Sequence, residues 1–524
     1  MEGTKKVAEE GKMSFEKILS LAGSPDSPNV CCDSRIVRKG DIFVAIKGSH
    51  VDGHSFIDQA VKNGAKYVVI QEGSPEGMAV RQKYQAVNSG CTYITVPSSA
   101  AAAGLLAQAK KGNPASKLTN LAVTGTNGKT TAAFLVRSII NNSGSRCGLI
   151  STVLYDNGRQ TFQAKLTTPD QFTIADITSQ MVNEGCKFMV TEASSHALDQ
   201  DRLEGINFKA AAFTNLTGDH LDYHKTKDAY LAAKTSLFEA LSPDSLAVLN
   251  RQSEEAFSIA GKTAAEILWY AVDEPASLTA HIESMDITGT VFTLEFNDRV
   301  EKVKTALVGK YNISNCLAAA GLTLAAGFDL KDAAAGIEVL KAVPGRLQKI
   351  DHNTPFTVLI DYAHTDDALK NVLETVRPLC RGKLIVVFGC GGDRDKTKRP
   401  RMAKVVEKLA DFIVVTSDNP RTEEPNAIID DIVAGFENGP AIPNEEFRAT
   451  SNGQRATKVI EPDRGSAISF AIGQARKDDI ILIAGKGHED YQILKDKTIH
   501  FSDKEVAEKF LKTKNETAYC KSAC

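Results

Sequence analysis

The run Thr124-Gly125-Thr126-Asn127-Gly128-Lys129-Thr130-Thr131 brings glycines, one lysine and several hydroxyls together at a spacing that can wrap a polyphosphate. It follows an apolar stretch at residues 118–123 that reads as a strand, and a helical pattern begins at Ala132. Glycines let the backbone turn tightly, so successive N–H groups and a helix N-terminus face phosphate oxygens. Lys129 would then neutralise the terminal phosphates, and the Thr130 hydroxyl would bind Mg²⁺. The spacing, G-x-x-G-K-T, is shorter than the usual G-x-x-x-x-G-K-S/T. A chance glycine turn capping a helix is the bland alternative. The order strand, loop, helix favours a nucleotide loop.

Other groups with chemical potential lie downstream. Glu192 ends the apolar run 188–190 and opens Glu192-Ala193-Ser194-Ser195-His196-Ala197-Leu198. A carboxylate at a strand's C-terminal edge beside a phosphate loop is placed for Mg²⁺. Asp219-His220-Leu221-Asp222-Tyr223-His224 reads equally as a metal-binding His220 oriented by Asp219 or as a polar loop with a capping Asp. Lys234, within a helical pattern around residues 228–238, reads by periodicity as a surface lysine. Four polar loops follow strand-like runs nearer the C-terminus: Asp361-Tyr362-Ala363-His364, Gly389-Cys390-Gly391-Gly392-Asp393-Arg394-Asp395, Ser417-Asp418-Asn419-Pro420-Arg421 and Gly485-Lys486-Gly487-His488-Glu489. The second lacks dinucleotide spacing. In a parallel sheet these loops share one edge, where such folds build binding crevices. Arg394 and Arg421 could each grip a carboxylate and Glu489 an ammonium, which suits an amino-acid substrate.

The elements that must hold these groups are α/β. Strand-like runs at 42–46 and 67–70 and a helix at 100–111 make a first unit. Strands at 118–123, 187–190 and 246–249 with a helix at 312–326 make a second, and strands at 357–360, 384–388, 412–415 and 480–484 a third. This alternation predicts mainly parallel sheets. Gly112-Asn113-Pro114 and Val343-Pro344-Gly345-Arg346 punctuate the chain, giving expected domains at 13–115, 116–343 and 344–512. That agrees with 524 residues at roughly 150 per domain. A net charge of −3 offers no overall basic excess for nucleic acid. No apolar run approaches the ~20 residues of a membrane span. The first ten residues lack a secretory signal, and the 10 cysteines have no zinc-ligand spacing, so reduced thiols and a cytoplasmic location are expected.

The phosphate loop, E-A-S-S-H-A-L, the N-L-x-x-D-H-L-D-Y-H stretch with its helical lysine, and D-Y-A-H together resemble the ATP-dependent Mur ligases of peptidoglycan synthesis. The resemblance runs from about residue 32 to 501. It implies three domains: an N-terminal uridine-nucleotide-binding α/β domain, a central P-loop ATPase-like parallel sheet and a C-terminal Rossmann-like domain. Asp33-Ser34-Arg35 and Asp52-Gly53-His54 in the first unit, and Asp418-Asn419-Pro420-Arg421 in the third, resemble the branch that adds meso-2,6-diaminopimelate to UDP-N-acetylmuramoyl-L-alanyl-D-glutamate. On that resemblance Ser34, His50 and His54 would lie near the uridine diphosphate, and Thr167, Thr168, Ser194, Gln200 and Arg202 would hold the muramoyl-dipeptide. Gly125, Thr126, Asn127, Gly128, Lys129, Thr130, Thr131, Asn312, Asn315, Arg346, Asp361 and His364 would surround ATP. Thr130, Glu192 and His220 would contact Mg²⁺, and Lys234 would be carbamylated by CO₂ into a further metal ligand, reversing its surface reading. Lys129, Glu192, His220 and Lys234 form the implied catalytic set. Arg394, Asp418, Asn419, Pro420, Arg421, Gly485 and Glu489 would bind diaminopimelate. Asp366, Lys39 and Leu347-Gln348 depart from the family's usual residues beside motifs.

The implied reaction is phosphoryl transfer from ATP to the γ-carboxylate of the D-glutamyl residue, followed by attack of the amine on the acyl phosphate. A monomer is expected, with the third domain moving inward when ATP and nucleotide sugar bind. The rivals are another carboxylate–amine ligase such as folylpolyglutamate synthase, a phosphate-loop ATPase that moves a partner, and a non-catalytic homologue.

Overall fold

The computed structural model describes residues 13–48, 51–86, 90–449 and 457–522. Three large sheets succeed one another along the chain, with strands within residues 30–96, 119–305 and 348–484. In the first, Val30–Cys31, Ile42–Val44, Tyr67–Gln71 and Thr92–Val96 pair in parallel and in chain order. Ile42, Phe43 and Val44 are all fully buried, as strands covered on both faces require.

The second sheet has eleven strands, and its parallel centre positions the nucleotide loop. Thr119–Thr124 lies between Phe188–Glu192 and Phe208–Phe213, paired in parallel with both. The C-terminal ends of these three strands therefore open onto one crevice. The helix Lys129–Asn142 starts there and buries Ala132, Leu135, Val136 and Ile139 against the sheet. The helix Lys310–Ala325, rich in alanine, packs in the same core.

Both ends of this sheet turn antiparallel. Leu278–Asp286, Gly289–Phe296 and Arg299–Thr305 form a meander at one edge, and Leu154–Asp156 with Thr161–Gln163 finish the other. The meander has no counterpart among the strand-like apolar runs of the sequence. Its strands carry solvent-facing polar side chains such as His281, Glu283 and Lys302 between buried residues, so no apolar run announces them.

The third sheet orders Gln348–Lys349, Thr357–Asp361, Ile480–Ala484, Leu384–Phe388, Phe412–Val415, Lys458–Ile460 and Ile442–Pro443. All pairings are parallel except the first. The four polar loops after residues 361, 388, 415 and 484 consequently share one edge. Asp366 opens the helix Asp366–Val376, where a carboxylate complements the helix dipole, and it pairs with Arg401 at 3.1 Å. No described helix is long and apolar enough to cross a membrane.

Candidate active site

The phosphate loop has the backbone its glycines permit. Gly125 (φ 146°) and Gly128 (φ 90°) occupy conformations that side-chain-bearing residues rarely adopt. A Cβ at Gly125 would collide with the Thr214 hydroxyl, and one at Gly128 with the Asn315 amide. Gly128 supplies no side-chain cap, so the first N–H groups of the following helix remain available. Lys129 folds back over the loop, its Nζ donating to Gly125 O (2.9 Å) and Thr126 O (2.8 Å). Burial lowers its pKa, and the Glu192 carboxylate opposes that shift.

Glu192 is fully buried at the end of its strand. It accepts from the Thr130 hydroxyl (3.1 Å), from the Thr152 hydroxyl (3.0 Å) and from the Thr152 amide (2.8 Å). Thr152 was not singled out from the sequence; a threonine in a loop carries no signal until the fold brings it to a carboxylate. Thr152 Oγ1 also lies 3.1 Å from Thr167 Oγ1, whose hydroxyl can donate to it. The Thr168 hydroxyl donates to Glu192 O (2.7 Å) and receives the Ser194 amide (3.1 Å). Arg202 donates to Thr168 O (2.9 Å) and to Gln200 Oε1 (2.6 Å), so Thr167, Thr168, Ser194, Gln200 and Arg202 form one network beside Glu192.

Lys234 is the largest departure from its periodicity. It is 1% exposed, with Nζ donating to Gly125 O at 2.8 Å and lying 4.5 Å from the Tyr230 ring centroid. The surface reading is wrong because the helix Lys227–Glu239 packs this face against the phosphate loop. Burial first, and then the charge on Lys129, hold its pKa well below that of an ordinary lysine. His220, in a left-handed conformation (φ 56°), stacks edge-on against His196 with centroids 4.8 Å apart. Partial desolvation in the cavity wall lowers its pKa despite Asp219, whose carboxylate lies 3.5 Å from Nε2. Asp219 does not cap the helix Lys227–Glu239; Thr226 does.

The third unit reaches this centre directly. Arg346 Nη2 donates to Thr130 Oγ1 (3.1 Å), and Asn127 Nδ2 donates to Asp367 Oδ2 (3.2 Å). The arrangement is thus one in which the units already touch. Arg346 lies over the Tyr362 ring at 4.8 Å, and buried Asp361 accepts from the Leu347 and Ala363 amides, both at 2.7 Å. Asn312 and Asn315 are buried and linked to each other (3.3 Å). His364 Nδ1 lies 2.8 Å from Tyr362 O, and burial lowers its pKa.

A cavity of about 740 Å³ joins the two sides. Asp219, His220 and His364 line one part of it, and Arg394, Asp418, Asn419, Arg421, Gly485 and Glu489 line the other. Arg394 is exposed and donates to Asp393 O (3.2 Å). Arg421 donates to Gly392 O (2.8 Å), and Asn419 Nδ2 to Glu489 Oε2 (2.8 Å). Pro420 lies between Asn419 and Arg421, outside the lining. Among the described residues, no three His, Cys, Asp or Glu side chains cluster closely enough to hold a metal by themselves.

The first unit contributes less than the sequence suggested. His54 is 1% exposed; its Nδ1 lies 2.6 Å from Asp52 Oδ1, and its Nε2 accepts the Gln71 amide (3.0 Å). Neither ring nitrogen remains for a ligand, so this histidine braces the fold. Ser34 is buried and donates to Gln59 Oε1 (3.3 Å). His50 lies outside the described residues.

Family models match three consecutive segments: "Mur ligase family, catalytic domain" at residues 28–111, "Mur ligase middle domain" at 123–323, and "Mur ligase, glutamate ligase domain" at 345–487. The chain is also 40% identical over 489 residues to the UDP-N-acetylmuramoyl-L-alanyl-D-glutamate–2,6-diaminopimelate ligase of Clostridium tetani, covering 93% of this chain and 95% of that one. This chain belongs to the Mur ligase family. The ligase of the same description from Geobacillus thermodenitrificans is 40% identical over 491 residues, again covering 93% and 95% of the two chains. A solved structure of such a diaminopimelate ligase superposes with a TM-score of 0.63 at 30% identity, over 96% of this chain and 100% of that one.

Proposed function

We propose that this Mur ligase joins meso-2,6-diaminopimelate to the D-glutamyl γ-carboxylate of UDP-N-acetylmuramoyl-L-alanyl-D-glutamate, using ATP and passing through an acyl phosphate. The observation that carries the reading is the shared cavity: groups next to the phosphate loop and groups suited to an amino acid face one space. The near-full-length similarity to diaminopimelate ligases supports the choice of substrate. Residues 13–115, 116–343 and 344–512 serve respectively the nucleotide sugar, ATP and the amino acid. The enzyme works as a cytoplasmic monomer and binds neither nucleic acid nor membrane.

In this reading the free N–H groups after Gly128, together with Lys129, cradle the triphosphate, and Asn312, Asn315, Arg346, Asp361 and His364 enclose the rest of ATP. Lys129 leaves its loop carbonyls for phosphate oxygens and screens them from the incoming carboxylate. Thr167, Thr168, Ser194, Gln200 and Arg202 orient the dipeptide. Ser34 and the backbone leading to His54 would border the uridine diphosphate. The Thr130 hydroxyl and the Glu192 carboxylate would hold Mg²⁺, with His220 near a second ion. So small a protein donor set suits a metal that keeps waters and takes phosphate oxygens. Bound there, it would offset the negative charge between phosphate and carboxylate.

Lys234 gains a carbamate in this scheme: the neutral Nζ adds to the carbon of CO₂, a C=O bond becomes an oxyanion, and Nζ releases a proton. The cation on Lys129 favours that added negative charge. Once the acyl phosphate exists, the neutral amine of diaminopimelate attacks its carbonyl carbon. The C–N bond forms, the C–O bond to phosphate breaks, and the amine proton departs. Arg394 and Arg421 take the distal carboxylate, while Asp418, Asn419 and Glu489 take the distal ammonium. Mass spectrometry of the nucleotide product tests this: a mass gain of one diaminopimelate residue with one ADP per product is expected, and unchanged nucleotide sugar would overturn it.

A further inference from the structure

Lys486 is fully buried and does not line the cavity, yet it sits directly behind three residues that do. Its Nζ is 3.1 Å from Glu489 Oε2, 3.3 Å from Asn419 Oδ1 and 3.8 Å from Asp418 Oδ1. Asn419 in turn donates to the same Glu489 oxygen (2.8 Å) and accepts the Ile493 amide (3.0 Å). Asp418 Oδ1 is buried and has no hydrogen-bond partner among the described residues. Two further buried cations stand nearby: Arg464 is matched by Asp503 through two contacts of 2.7 Å, and Arg399 by Glu423 and Asp431, each at 2.8 Å.

Away from solvent two carboxylates, Asp418 and Glu489, face two cations, Arg421 and the hidden Lys486, while Arg394 is exposed, where water and salt screen its charge. Such a pocket is neutral. A buried charge is costly unless it is matched, so a neutral pocket suits a neutral group that still carries both signs. The distal end of a 2,6-diamino diacid is such a zwitterion, whereas the distal end of lysine is a bare cation.

We propose that Lys486 is a positioning and specificity-determining residue: by fixing Asn419 and Glu489 and cancelling one carboxylate charge, it makes the pocket prefer a zwitterionic head over a cationic one. The inference rests on the reading of this cavity as the amino-acid site. Without Lys486 the pocket carries an uncompensated negative charge, and a cationic end group loses its disadvantage. The two carboxylates also lose their common anchor, so binding of the diacid weakens.

The test compares kcat/KM for meso-diaminopimelate and L-lysine in the full-length enzyme, with KM for ATP and nucleotide sugar as controls. K486M should lower the diaminopimelate-to-lysine ratio about tenfold or more. The loss should fall mainly on KM for diaminopimelate, with the two control KM values unchanged. The double variant K486M/E489Q restores neutrality and should recover part of the ratio, which a merely structural lysine would not do. E489Q alone leaves the pocket positive and should raise the ratio while lowering both activities. It decides the matter if K486M does not fold. An unchanged ratio in K486M, or an unchanged or lower one in E489Q, overturns the inference. Wild-type enzyme inactive with both amino acids would instead overturn the reading of the site.

Discussion

Replacing Lys234 with alanine isolates one buried amine. An exposed lysine with a pKa near 10.4 leaves roughly one amine in a thousand neutral at pH 7.4. Each unit by which burial lowers that value multiplies the neutral fraction by ten, the direction that the proposed addition to CO₂ requires. Truncation removes three methylenes, roughly 2 kcal/mol of burial. It also removes an amine stripped of water, and Gly125 O keeps a donor in Lys129 Nζ at 2.9 Å. The fold should therefore survive with a melting temperature within several degrees of wild type. Activity should not survive. Loss of a charged group aimed at the reacting phosphate costs about 10²–10³-fold in kcat. Phosphate release is the assay, run with and without acetate or propionate, because the vacated space admits a short carboxylate in place of the carbamate. Partial rescue is expected. Wild-type turnover by Lys234→Ala with no added carboxylate would exclude this role for Lys234.

Lys129→Ala should abolish ligation while calorimetry still detects nucleotide-sugar binding, since its contacts lie within the phosphate loop; substantial residual turnover contradicts that role. Arg464→Ala strands the Asp503 carboxylate in a fully buried setting and should cost about 3–5 kcal/mol in urea unfolding, most of it recovered in R464M/D503L. An R464A midpoint equal to wild type would contradict it. Burial holds His488 down to about 4, against 6.5 for an ordinary imidazole. Between those values the unfolded chain binds a proton that the folded chain refuses, so this contribution is complete above pH 6.5 and is lost as pH falls toward 4. His488→Gln should flatten the fall of the urea midpoint with acidification, and an identical slope would exclude that origin.

Much of the framework is readable in the chain because parallel strands covered on both faces must be continuously apolar. Leu384–Phe388 and Ile480–Ala484 begin and end where their apolar runs do. The glycine loop is legible for a different reason: only that residue fits beside Thr214 and Asn315. What stays hidden is where side-chain type and environment disagree. Lys234 and Lys486 carry the commonest surface side chain and are buried by tertiary packing. His54 shows the opposite failure, a histidine with the look of a ligand whose two nitrogens are consumed by Asp52 and Gln71. Thr152 is equally silent, since its meaning comes from Glu192, a partner that folding brings to it from a neighbouring strand.

In this enzyme ATP cleavage should be coupled to joining an acid and an amine within one cavity. Phosphate release measured with ATP and UDP-N-acetylmuramoyl-L-alanyl-D-glutamate, and with meso-diaminopimelate, L-lysine or no amino acid, tests it directly. Sustained release with diaminopimelate, far less with lysine and almost none without an amine is the predicted result. Equal release in all three, or none in any, contradicts it.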